Sequence, residues 1–252
     1  VTLTIAWREF RNLFLSPLAW VVLAVVQFIL GYSFLVQMEL IVASQGELAA
    51  LPDAPGITEL VAQPLYGVAA IVMLMVAPML TMRSIAEERR NGTLVLLLTA
   101  PVALVEVVLG KFLGLLGLFT AMVLLTSLMP LSLALGTELD FGLVAAGALG
   151  LFLLLATFAA VGLFMSSLTD QPTVAAVATY GALLFLWIID WAAQAEPGGV
   201  SGLFPYLSLI RHFEDLSRGL FSSADVAYFL IAITLFLLLT LWRLDAERLP
   251  GR

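Results

Sequence analysis

Long apolar runs dominate this chain. They lie near Pro17–Met38, Leu65–Met82, Val107–Leu135, Phe141–Leu168, Thr173–Ile189 and Val226–Trp242, with Lys111 as the sole charged residue among them. A helix that crosses a bilayer needs about 20 apolar residues, since its backbone polar groups must be satisfied within the segment. None of the runs alternates polar with apolar residues, as the strands of a membrane barrel do. The expected fold is therefore all-α and polytopic, with six transmembrane helices. The first run, 22 residues long, exceeds a signal-peptide core and lacks a small-x-small cleavage site. It reads as a retained helix. Composition agrees: 62% of residues are apolar and 12% charged, against about 45–50% and about 25% in soluble domains. That leaves too little polar surface to cover a soluble globule, and the spans leave no room for a separate catalytic domain.

Basic residues give an orientation. Arg8, Arg11, Arg83, Arg89, Arg90, Lys111, Arg243, Arg248 and Arg252 fall on one side of the six-span map, and only Arg211 and Arg218 on the other. By the positive-inside rule both termini and residues 83–105 face the cytoplasm, while residues 39–63 and 190–225 face outward. Trp7, Trp20 and Trp242 then lie near the inner boundary, and Trp187 and Trp191 near the outer one, at headgroup level. The net charge of −7 comes mostly from outward-facing Asp and Glu, and it argues against nucleic acid as a partner.

Two segments outside the spans are amphipathic. In residues 1–16, Leu3, Ala6, Trp7, Phe10, Leu13 and Phe14 oppose Thr4, Arg8, Arg11 and Asn12, the pattern of a helix lying in the inner interface. Between the fifth and sixth spans, Leu209, Phe213, Leu216 and Leu220 oppose Arg211, Glu214, Asp215 and Arg218, after a break at Pro197-Gly198-Gly199. This predicts an outer amphipathic helix. Pro78 and Pro130 are expected to kink the second and third spans. Gly110, Gly114 and Gly117, and Gly147 with Gly150, are spaced for close helix packing within the chain.

Much chemistry is excluded. With no cysteine and a single histidine, His212, there is no thiol nucleophile, disulfide or multi-His metal centre, and no catalytic or metal-binding residue is assigned. Lys111 and Glu106 flank the third span near its start, and the span interiors lack the carboxylates or histidines that ion-coupled transporters keep at membrane depth. Gly110-Lys111 is not a phosphate loop, since Val105 stands where the first glycine is required and no Ser or Thr follows the lysine. Any ATP that drives this protein, with its Mg, must be bound by another chain.

The most informative stretch is the loop from Arg83 to Pro101. Glu87, Glu88, Arg89 and Arg90 form a charged helical turn, Asn91-Gly92 ends it, Thr93 follows, and an apolar tail runs to Pro101. A bias toward basic residues requires only Lys and Arg. Two adjacent glutamates and an apolar tail go beyond it and fit a docking element for a cytoplasmic partner.

At this loop the sequence resembles the type 2 ABC transporter permeases, in their gliding-motility-like branch, and the likeness covers nearly the whole chain. It rests on Trp7–Arg11 with Leu15–Trp20, on Met82–Thr93 with Leu98–Val102 and Gly110–Phe112, on Gly162–Gln171, and on Ser208, His212-Phe213 and Gly219. The family often carries a glutamate shortly after the Gly-Thr pair, where this chain has Val95. The resemblance implies one permease domain over residues 1–252, a subunit of an ATP-driven exporter or force transducer in the bacterial inner membrane. Its partners would be an ABC-type ATP-binding subunit, a second permease and an accessory protein on the outer side. Residues 83–105 would couple to the ATPase through Arg83, Glu87, Glu88, Arg89, Arg90, Gly92 and Thr93, and His212 would be structural. A stand-alone secondary transporter or polytopic membrane enzyme is the alternative.

Overall fold

The computed structural model describes residues 1–48, 56–94, 102–194 and 208–248, with no strand among them. The helices are α1 (Thr2–Leu15), α2 (Pro17–Leu48), α3 (Ile57–Thr81), α4 (Ala86–Arg90), α5 (Leu104–Leu131, extended by a 3₁₀ turn at Ser132–Leu135), α6 (Phe141–Ser167), α7 (Pro172–Gln194), α8 (Leu209–Ser217) and α9 (Ser223–Arg248). Five of them, α2, α3, α5, α6 and α9, are long and apolar enough to cross a membrane, and α7 adds an apolar helix over Pro172–Ile188. Each of the six expected spans is therefore a helix of this all-α bundle.

The helices outrun the apolar runs that announce them. The 32 residues of α2 extend about 48 Å at 1.5 Å per residue, well beyond a hydrocarbon core of about 30 Å. The outer segment expected at 39–63 is accordingly narrower, because α2 continues to Leu48 and α3 begins at Ile57. Helix α3 carries two internal prolines, Pro64 and Pro78. Likewise α7 runs to Gln194 and α9 starts at Ser223, both inside the range 190–225 expected to lie outside the spans.

Helix α6 is the axis of the bundle. Its apolar window is 72% buried, against 28% for α2 and 22% for α9. It packs against α3, α5, α7, α8 and α9. Its first turn is capped by Asp140, whose Oδ1 accepts from the amides of Gly142 (2.8 Å) and Leu143 (3.1 Å), while the Asp140 amide donates to Thr58 Oγ1 of α3. Tyr66 of α3 lies against Gly147, and its hydroxyl is hydrogen-bonded to the Ser127 hydroxyl of α5 and the Val144 carbonyl of α6, so one buried phenol ties three helices together. Exposed Val21, Val25, Phe28 and Leu35 on α2, with Leu230, Ile231, Leu235 and Leu238 on α9, clothe the outside in apolar side chains. A bilayer solvates such a surface, whereas water does not.

Against the first half of α6, α8 buries Leu209, Phe213 and Leu216 as its apolar stripe requires. Leu220 does not continue that stripe. The helix stops before Gly219, at φ +79°, and Leu220 beyond it is exposed. His212 bonds Asp225 through Nδ1 at 2.6 Å and stacks on Tyr228 with ring centroids 4.2 Å apart, docking α8 on the start of α9. This is a structural placement. The break at Pro197-Gly198-Gly199 lies outside the described residues, as does the apolar tail after Leu94, with Val95 in it.

Candidate functional site

The end of the bundle that carries Arg8, Arg83, Arg89, Arg90 and Lys111 is built around the short helix α4. Helix α3 ends at Thr81 and the chain turns back through Met82–Ile85. Ser166, near the end of α6, holds this turn: its Oγ accepts from the amides of Ile85 (3.0 Å) and Ala86 (2.9 Å) and donates to the Met82 carbonyl (3.0 Å). A five-residue helix lacks a capping side chain of its own here, so a residue 80 positions away supplies one. The approach needs Gly162. A Cβ there would stand 2.1 Å from Thr81 Oγ1 and 2.5 Å from Thr81 Cβ.

Helix α1 docks on the same end. It crosses α5, and a Cβ at Gly110, Gly114 or Gly117 would meet Ile5, Glu9 or Phe10 at 2.6–2.7 Å. The glycine row seats the N-terminal helix, so its spacing does serve packing within the chain. Helix α1 consequently has three faces. Ile5, Ala6, Glu9 and Leu13 lie toward the bundle, exposed Leu3 and Trp7 lie outside, and Arg8 and Arg11 face solvent. Ser16, extended at φ −78° and ψ 128°, ends it because the following Pro17 disfavours a helical residue before it.

That seat brings Glu9 to Lys111. The lysine stands about two turns inside α5 and is 2% exposed, well within the helix whose start it was expected to flank. Its Nζ lies 3.1 Å from Glu9 Oε1 and 2.8 Å from Glu88 Oε1, and donates to the Ser84 carbonyl at 2.8 Å. All three protons of the ammonium thus have acceptors, which a buried cation requires. Arg8 borders the cluster, 3.2 Å from Glu9 and 3.8 Å from Glu88. Glu88 Oε2 is buried without a hydrogen-bond partner. Three elements far apart in sequence, α1, α4 and α5, are pinned at one ammonium.

Arg89 makes the complementary tie. Its Nη2 donates to the Ser167 carbonyl at 2.6 Å and to Glu247 of α9 at 2.8 Å. Arg243, one turn before Glu247, also reaches that carboxylate, at 3.2 Å. Glu88 and Arg89, expected to face a partner, point into the bundle instead. Arg83, Glu87, Arg90, Gly92 and Thr93 remain exposed. Gly92 sits at φ +71° with nothing within 4 Å of a would-be Cβ, so backbone conformation and not space demands glycine there. Thr93 Oγ1 donates to the Glu88 carbonyl at 3.2 Å and closes the turn.

Sequence reasoning missed Glu9 and Glu247 and treated Lys111 as a boundary charge. The available signals were a lysine surrounded by Val107, Val108, Phe112 and Leu115, and a glutamate on the Ile5–Ala6–Leu13 side of an amphipathic helix. Among the described residues no three carboxylate or imidazole groups converge to hold a metal ion. The arrangement offers a fixed, mixed-charge surface turn tied mechanically to four helices.

A family model described as ABC-2 family transporter protein matches residues 3–249. No curated protein matches the chain.

Proposed function

We propose that this chain, which belongs to the ABC-2 transporter family, is the permease subunit through which a separate ABC-type ATPase moves substrate or transmits force across the bacterial inner membrane. Membership makes it a multi-pass membrane component of an ABC transporter. The observation that supports the finer reading is the bracing of α4. Arg90, exposed on α4, and exposed Gly92 and Thr93 just after it are open to a partner. Its inward residues Glu88 and Arg89 fix it to α1, α5, α6 and α9. A push on a loosely held loop dissipates in the loop, whereas a push on this turn displaces helix ends.

In this reading the turn at 83–93 is the coupling element seated against the ATPase, and Gly92 and Thr93 set the direction in which the chain leaves it. ATP and Mg are held by the ATPase subunit. Both termini are cytoplasmic, because α1, α4 and the end of α9 share the end rich in Arg and Lys. The chain pairs with a second permease through α2 and α7, whose exposed apolar residues include Phe28 and Tyr32, and Val177 and Phe185. An accessory protein on the outer side belongs to the same proposal.

The test is to purify the tagged chain from its own host and assay the preparation for an ATP-binding subunit and for ATP hydrolysis that requires this chain. Co-purification with permease-dependent turnover is the expected result. A chain that catalyses its full activity alone in liposomes, without a nucleotide-binding partner, would overturn the proposal.

A further inference from the structure

A cavity of about 640 Å³ opens beside the Lys111 cluster, between the α1–α2 elbow, the end of α3, α4 and the start of α5. Its volume falls within the range of about 300–1,000 Å³ typical of small-molecule sites. Its lining is mixed. Leu13, Leu18, Leu80 and Leu115 are apolar, and exposed Arg8, Arg83, Glu87 and Asn91 bring polar groups to it. Three cations, Arg8, Arg83 and Lys111, and three carboxylates, Glu9, Glu87 and Glu88, reach it. Lys111 is matched by Glu9 and Glu88, and Arg8 lies against Glu9. Among the described residues, Arg83 and Glu87 are in no ion pair, although both line this cavity.

The depth of this cavity is also on the structure. Exposed Trp7 and Trp20 flank the elbow, joined by a ring contact series through Phe10 and Phe14, and Trp20 Nε1 donates to the Phe14 carbonyl at 2.8 Å. Exposed tryptophans of a membrane protein mark the headgroup level. A ligand here needs an apolar body toward the bilayer and a head carrying both an anion for Arg83 and a cation for Glu87. We infer that the cavity holds one phospholipid with a zwitterionic phosphoethanolamine head, its phosphate toward Arg83 and Arg8 and its ammonium toward Glu87. An anionic head without an amine would leave Glu87 facing a phosphate.

The inference rests on the membrane reading and is independent of any ATPase. It is tested by native mass spectrometry of the full chain in detergent, delipidated and then titrated with phosphatidylethanolamine, phosphatidylglycerol or free phosphoethanolamine. One phosphatidylethanolamine per chain should survive detergent removal, at least about tenfold more strongly than phosphatidylglycerol. Free phosphoethanolamine should not bind, since it lacks the apolar body. Arg83→Ala with Glu87→Ala should abolish the preference between the two lipids, and Met79→Trp, which enlarges an uncharged lining residue of the cavity, should lower retention of both. Equal retention of the two lipids by the unmodified chain, a preference that survives the double variant, or equal binding of free phosphoethanolamine would overturn it.

Discussion

Replacing Lys111 by Met keeps the shape of an unbranched side chain and removes the charge that two carboxylates share. Glu9 and Glu88 then face each other across the space left by the ammonium, with Oε2 of Glu88 already lacking a partner. Removing one member of a buried ion pair costs about 3–5 kcal/mol. The glutamates retain 19% and 22% side-chain exposure, and Arg8 lies nearby. Water and Arg8 therefore offset part of the loss, and the lower end applies, about 3 kcal/mol. At about 2–4 °C per kcal/mol for a chain of this size, the melting temperature should fall by about 6–12 °C. The assay is fluorescence-detected thermal unfolding in detergent for Lys111→Met, for Glu9→Gln with Glu88→Gln, and for the triple variant. Because neutralising all three members leaves no uncompensated buried charge, the triple variant should recover most of the loss. If Lys111→Met costs under about 1 kcal/mol, or the triple variant is as unstable as the single, the ammonium does not hold the cluster together and the reasoning fails.

Gly162→Ala should destabilise by about 1–3 kcal/mol because its methyl collides with Thr81, and adding Thr81→Ala should relieve part of this in the same melting assay. Ser166→Ala removes the acceptor for the Ile85 and Ala86 amides, a loss of about 0.5–2 kcal/mol by analogy with a helix cap. Hydrogen exchange of residues 85–90 should accelerate while the middle of α6 stays protected. Gly92→Val, at φ +71°, should leave the protein inserted but strain the turn by about 1–3 kcal/mol, and permease-dependent ATPase turnover should drop in the reconstituted complex. Unchanged turnover and transport would make this loop a plain connector.

The all-α, multi-span fold was legible because a bilayer imposes one pattern on every crossing, and six apolar runs display it. Asn91-Gly92 was legible for a local reason, the tolerance of glycine for left-handed geometry at a helix end. The ties among elements were not. Lys111 finds its carboxylates 102 and 23 residues away, and Arg89 finds Glu247 at a separation of 158. Nothing in a local pattern sets such distances. Glu88 and Arg89 sit in a run of four charges that reads as one exposed turn, yet a five-residue helix has two sides, and only packing against α5, α6 and α9 decides which charges turn inward. The row Gly110, Gly114 and Gly117 signalled a close neighbour without saying which, and the neighbour is α1.

An ATPase that seats on α4 will be within reach of a cross-linker placed there. The chain has no cysteine, so a single photoreactive residue or cysteine placed at Arg90, exposed on α4, is read without background. A matching probe at Glu214, on α8 at the opposite end of the bundle, serves as the comparison. In the purified complex, the probe at Arg90 should capture the ATP-binding subunit and the probe at Glu214 should not. Capture from Glu214, or none from Arg90 in a complex that hydrolyses ATP, would mean that the ATPase seats elsewhere.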